Sequence, residues 1–285
     1  MKKSLALIAS LIASTTLAGD TSAWKSKTIY QVLTDRFAKS NGDTSPCGNL
    51  GYYCGGTYRG IINNLDYIAG MGFDAIWISP IVDNIDGGYH GYWAANWEKT
   101  NSNFGSEQDL IELVRKCHDR GIWVMVDVVA NHVGPVVMDF SRIYPFNHEE
   151  HYHTRCQINN WGDQHEVEYC RLADLPDLNQ DGNNYVRQYL KDWIRGIVQK
   201  YGFDGIRIDT VPEVSKPFWS EYGSASGVFQ MGEAFNGDPN YVGGYQGPLT
   251  AVFNYPMYYT IRDVFRSGNS MYDIRNRLND EKNHF

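Results

Sequence analysis

Gly205-Ile206-Arg207-Ile208-Asp209-Thr210-Val211 is the stretch from which the fold is read, and Gln230-Met231-Gly232-Glu233-Ala234-Phe235 follows it. Each contains a short apolar run closed by an acid, the pattern of a buried strand whose end carries a functional group. Side chains at i and i+2 of a strand share a face, so Arg207 and Asp209 point one way while Ile206 and Ile208 pack on the other. A guanidinium beside Asp209 favours its ionised form, as a nucleophile requires. Two carboxyl groups on neighbouring strand ends are the minimum machinery for cleaving a glycosidic bond with retention. The bland alternative is an Arg-Asp pair that only satisfies itself inside a core.

The rest of the chain repeats this rhythm. Runs rich in β-branched or aromatic residues occur at 28–33, 75–79, 123–128 and 205–208, then at 228–231 and 251–254. Between them lie amphipathic stretches at 61–71, 109–120 and 185–200, the last with Val186, Leu190, Trp193 and Ile197 at helical spacing. Ser106 precedes the second stretch as a helix start, and Gly121 and Gly202 stand where helix C-caps are expected. Alternating strands and helices predict an α/β fold with a parallel sheet covered on both faces. Residues 133–184 break the pattern, being polar and rich in His, Asn and Asp, and read as an insert after the third strand. A closed eight-unit barrel takes about 250 residues before insertions. The expectation is therefore a partial (β/α)8 barrel of about six strands, divided into 19–132, the insert 133–184, and 185–285.

Lys2-Lys3, an apolar run and Thr16-Leu17-Ala18 make the three-part pattern of a secretory leader over residues 1–18, too short to span a membrane comfortably. The net charge of −8 argues against nucleic acid or an anionic membrane as partner and suits a neutral substrate. Five cysteines in a secreted chain suggest two disulfides, Cys47-Cys54 and Cys156-Cys170, each closing a short loop. Cys117, inside a helical run, is expected to be a buried free thiol. Tyr and Trp gather in loop-like stretches such as Gly88-Tyr89-His90-Gly91-Tyr92-Trp93, where rings either stack on sugars or fill core.

Together these segments resemble the fungal type of secreted α-amylase in glycoside hydrolase family 13 over essentially the whole mature chain. The likeness rests on Asp127-Val128-Val129-Ala130-Asn131-His132, Leu175-Pro176-Asp177-Leu178, the run from Gly205 to Val211, and the strand ending at Glu233, all in order. The resemblance implies a retaining endo-hydrolase of α-1,4-glucosidic bonds in starch or glycogen, expected to be monomeric. Asp209 matches the nucleophile, Glu233 the general acid/base, whose pKa must be raised, and Arg207 the cation beside the nucleophile. His90, Tyr92 and His132, with Trp93 in the same ring cluster, match the surroundings of the sugar at the cleaved bond. Asn131, Glu168 and Asp177, with the backbone carbonyl of Glu213, match the oxygens that hold a structural Ca²⁺ between barrel and insert.

Two departures qualify the likeness. Pro212-Glu213 stands where these amylases usually carry Lys-His, which opens a second reading as a 4-α-glucanotransferase acting on cell-wall α-glucan. No Asn-His-Asp run follows Glu233, so the family's third carboxylate, from a seventh strand, is not found, and neither are an eighth strand and a C-terminal β-domain. An open parallel sheet exposes unpaired backbone. The chain is thus expected to be C-terminally truncated and nearly inactive alone, and a non-catalytic glucan-binding protein is a third reading.

Overall fold

A computed structural model describes residues 21–285; the leader expected over residues 1–18 lies outside them. Six apolar runs form parallel strands: β1 (Ile29–Val32), β2 (Ala75–Ile78), β5 (Trp123–Val128), β6 (Gly205–Ile208), β7 (Phe229–Gly232) and β8 (Ala251–Val252). They lie side by side in that order, every neighbouring pair parallel. β6 is buried along its whole length and β5 at all but its first residue, as strands covered on both faces must be. The sheet is not closed: among the described residues β1 and β8 are its two edges.

Local chemistry sets the helices. Ser106 and Asp109 form a reciprocal capping box at the start of Glu107–His118. Asn183 caps Asn184–Tyr201, which buries Val186, Leu190, Ile194 and Ile197 and ends at Gly202 in the left-handed region. The helix expected over 61–71 is instead two, Tyr58–Asn63 and Leu65–Gly70. Asn64 breaks it with a non-helical backbone, its amide donating to the Gly60 carbonyl at 2.8 Å.

Trp24 closes the sheet's inner face at the end away from the acids. Its ring stacks on Phe229 at 5.0 Å and meets Trp123 edge-on at 5.1 Å. A Cβ at Gly205 would lie 2.8 Å from the Trp24 ring, so β6 must begin with glycine for the two to meet.

An antiparallel hairpin, β3 (Val82–Asn84) and β4 (Ala94–Thr100), was not read from the sequence. It carries the His90–Trp93 loop at its tip and is tied to residues 133–184 by Gly134 N to Ala94 O at 2.9 Å and Tyr144 N to Ala95 O at 2.7 Å. Within 133–184 the chain holds one α-helix, Gln164–Tyr169, three single turns of 3-10 helix, and the Cys156-Cys170 disulfide. Cys47 and Cys54 are also bridged, and Cys117 is a buried thiol. Among the described residues no helix is long and apolar enough to cross a membrane.

Candidate active site

Strand register brings the charged side chains together. Asp127 on β5 is paired directly with Arg207 on β6, and Arg207 with Met231 two residues before Glu233. Arg207 Nη1 donates to both oxygens of Asp127 at 3.0 Å and to Asp209 Oδ1 at 2.7 Å, while Nη2 lies 2.6 Å from Glu233 Oε2. The expected pairing with Asp209 is present, but the cation is shared among three acids rather than serving one. Its ring neighbours are Trp77, 5.1 Å away, and Tyr92, 5.9 Å away.

One guanidinium faces three buried carboxyls. Burial, the leading cause, pushes Asp127, Asp209 and Glu233 all upward against the pull of Arg207. The neighbouring Asp209 acts with burial in raising Glu233, as an acid/base that starts protonated requires. The Thr210 backbone N–H, at 3.3 Å, and the Tyr255 hydroxyl, at 3.2 Å, donate to Glu233. Thr210 reaches it from the left-handed region (φ 49°), a strained conformation for a β-branched residue, held by Val211 N to Glu233 O at 3.0 Å.

Asp127 also accepts from the Tyr92 hydroxyl at 2.8 Å and from Trp77 Nε1 at 3.0 Å. It opens the Asp127–His132 motif, yet sequence reasoning gave it no role. Its signal was its place on β5, the last residue but one of the strand. Trp77 and Tyr255 were missed as well; only the residues just after a strand, as in Asn254-Tyr255-Pro256, hinted at the latter.

His90 accepts the Tyr92 N–H at Nδ1 (3.0 Å) and stacks on the Tyr92 ring at 5.6 Å, with Trp93 edge-on at 4.8 Å. Burial and the neighbouring His132 keep it neutral, so its hydrogen sits on Nε2. The Trp93 N–H donates to Asn84 Oδ1 at 2.8 Å, which fixes the loop on the hairpin. His132 is buried, and burial drives its pKa down to about 4. Its Nε2 meets the Tyr92 carbonyl and its Nδ1 the Asn131 amide, both at 3.1 Å. Both nitrogens thus have protein partners, and His132 holds the Tyr92 loop in place.

This tautomer decides what Asn131 faces. A carbonyl only accepts, so neutral His132 donates from Nε2 and accepts at Nδ1, which requires the Asn131 NH₂ there. The Asn131 oxygen is then left 2.9 Å from Asp177 Oδ1 and 3.1 Å from the Glu213 carbonyl. Turning the amide over would demand a doubly protonated imidazole, which burial opposes. Three converging oxygens without a donor are a cradle for a hard cation, and Ca²⁺ fits it. Among the described residues no three His, Cys, Asp or Glu side chains gather as a metal site, because this oxygen set is one carboxylate, one amide and one carbonyl. Glu168 accepts from Gln164 at 2.8 Å, and the same amide donates to the Pro212 carbonyl, also at 2.8 Å. Asp177 is raised to about 7 by burial, with His153 at 2.6 Å pulling the other way.

Residues 31–284 match the family model described as Alpha amylase, catalytic domain. The α-amylase of Saccharomycopsis fibuligera is 43% identical over 263 residues, covering 87% of this chain and 53% of that protein. Alpha-amylase 1 of Lipomyces kononenkoae is 42% identical, covering 92% and 45%. The solved α-amylase of Malbranchea cinnamomea superposes with a TM-score of 0.89 at 42% identity, covering 92% of this chain and 59% of that one. The chain spans about half the length of these curated relatives. With the acids, the cation and the strand order all in place, the chain belongs to the α-amylase family of glycoside hydrolases, family 13.

Proposed function

We propose that this protein hydrolyses internal α-1,4-glucosidic bonds of starch or glycogen by retaining double displacement. The observation that carries the reading is the convergence of Asp209 and Glu233 on one buried guanidinium, Arg207 Nη1 lying 2.7 Å from Asp209 and Nη2 2.6 Å from Glu233. Glu233, protonated, gives its proton to the leaving oxygen while ionised Asp209 attacks the anomeric carbon. Glu233 then takes a proton from the water that releases the sugar. Tyr92, fixed by its bond to Asp127, and His90 present rings and an N–H to the sugar at the scissile bond, with Trp93 behind them. Ca²⁺, held by Asn131, Asp177 and the Glu213 carbonyl with Glu168 nearby, supplies a structural clamp. It joins residues 133–184 to the strands of 19–132 and 185–285. The protein acts outside the cell as a monomer, after loss of residues 1–18.

The test is the anomer released from a maltooligosaccharide, followed by NMR, with Asp209→Asn and Glu233→Gln beside the parent. Retention is expected, with Glu233→Gln slowed by about 10²–10⁴-fold and Asp209→Asn at least as much. First release of the β-anomer, or an undiminished Asp209→Asn, overturns the mechanism.

One observation favours a second reading, as a glucanotransferase. A cavity of about 480 Å³ opens beside Glu233, lined by Trp161, Thr210, Pro212, Glu213 and Phe235. Its rings would seat a second sugar in place of water, and Pro212-Glu213 gives it a wall without a cation. Products longer than the oligosaccharide supplied would establish transfer; shorter products alone would exclude it.

A further inference from the structure

The seam between residues 133–184 and the long helix Asn184–Tyr201 carries a cluster of tyrosines apart from the acid cluster. Tyr144 and Tyr185 are about half exposed, 46% and 50%, although large rings usually earn burial. Tyr189, one turn along the helix from Tyr185, has its ring centroid 6.1 Å away, and Glu98 on β4 lies within electrostatic reach of its hydroxyl. The Tyr144 hydroxyl lies within electrostatic reach of both other tyrosines.

These rings are held rather than loose. Fully buried Phe146 meets Tyr189 edge-on at 5.3 Å and Tyr185 at 6.5 Å, and the His151 ring stacks on Tyr185 at 5.2 Å. Tyr144 is pinned through its backbone, N to Ala95 O at 2.7 Å and its own carbonyl accepting from Trp97 N at 3.1 Å. Preorganised rings lose little conformational freedom when a ligand settles on them.

The chemistry of the surface selects its ligand. Tyrosine presents an apolar face with a polar rim, which suits a molecule that is apolar on its ring faces and hydroxylated at its edges. The named residues include no cation, and Glu98 adds an anion, so phosphates and anionic lipids are disfavoured. We propose that Tyr144, Tyr185 and Tyr189 form an auxiliary binding surface for a neutral α-glucan chain, separate from the catalytic cleft. This rests on the α-glucan reading above. Such a surface tethers the polymer while the cleft works on it, which matters for long chains and not for short ones.

The experiment is native electrophoresis of the full chain through gels with and without soluble starch, comparing wild type, Tyr144→Ala/Tyr185→Ala, Tyr185→Phe and Asp209→Asn. Both alanine substitutions are at half-exposed rings, so folding is checked by an unchanged urea midpoint. Starch affinity of the double variant is expected to fall roughly tenfold, the scale of two lost ring contacts. Tyr185→Phe, which keeps the ring face, stays near wild type, and Asp209→Asn keeps its tyrosine-dependent retardation. Retardation that the double alanine variant leaves unchanged overturns this surface alone. A wild-type chain that starch does not retard overturns both the surface and the α-glucan reading.

Discussion

Replacing Arg207 by Met tests the account of the acid cluster without depending on turnover. Arg207 is 5% exposed at its side chain and is the cation contacting Asp127, Asp209 and Glu233 at 2.6–3.0 Å. Methionine fills much of the same volume but leaves three buried carboxyls unpaired. Breaking a buried ion pair by removing one partner costs about 3–5 kcal/mol. The sign of the pH dependence follows from burial. These acids have folded pKa values raised above their unfolded ones, and losing the cation raises them further. A raised acid contributes stability that is complete below the unfolded value near 4 and declines as pH climbs toward the folded value. The deficit of Arg207→Met is therefore expected to be small near pH 4.5 and to reach its full size by pH 8. Urea unfolding at both pH values reads it, and adding Asp127→Asn, which removes one orphaned charge, recovers part of the loss at pH 8. A loss below about 1 kcal/mol at pH 8, or one equal at both pH values, would refute the reasoning.

Three other outcomes follow from the same structure. Stripping Ca²⁺ with a chelator is expected to lower stability by about 2.7 kcal/mol relative to calcium at a hundred times its Kd, and Asn131→Ala should abolish that difference; a calorimetric midpoint indifferent to chelator would remove the ion from the account. Cys156→Ser/Cys170→Ser opens a loop of sequence separation 14, a loss of about 3 kcal/mol, read as a lowered urea midpoint; reducing agent shifts the parent by more than the variant, in which Cys47-Cys54 is the one bridge left to reduce. Trp24→Ala empties the space between Phe229, Trp123 and Gly205, and is expected to cost about 3–5 kcal/mol in unfolding free energy, while leaving the acid cluster's titration unchanged.

Much of the framework was legible before any coordinates. Strand runs and helix caps are local matters: Ser106 with Asp109, Asn183 and Gly202 act on backbone within a turn of themselves. The β3–β4 hairpin escaped because β3 is only three residues long, the pairing shifts in register and no tight two-residue turn joins the strands. The expected helix over 61–71 failed at Asn64, where a side-chain bond to Gly60 competes with the helical one.

By itself the sequence determined which residues face inward on each strand and which acids close β6 and β7, since burial and the two-residue period are written in neighbouring positions. Only the tertiary structure decided that Arg207 serves three acids, that Asp127 is one of them, that His132 holds the Tyr92 loop, and that Asn131, Asp177 and the Glu213 carbonyl converge. Those contacts join residues tens of positions apart, 80 between Asp127 and Arg207, and their partners are set by strand register and loop return. No local pattern of residue types carries that information.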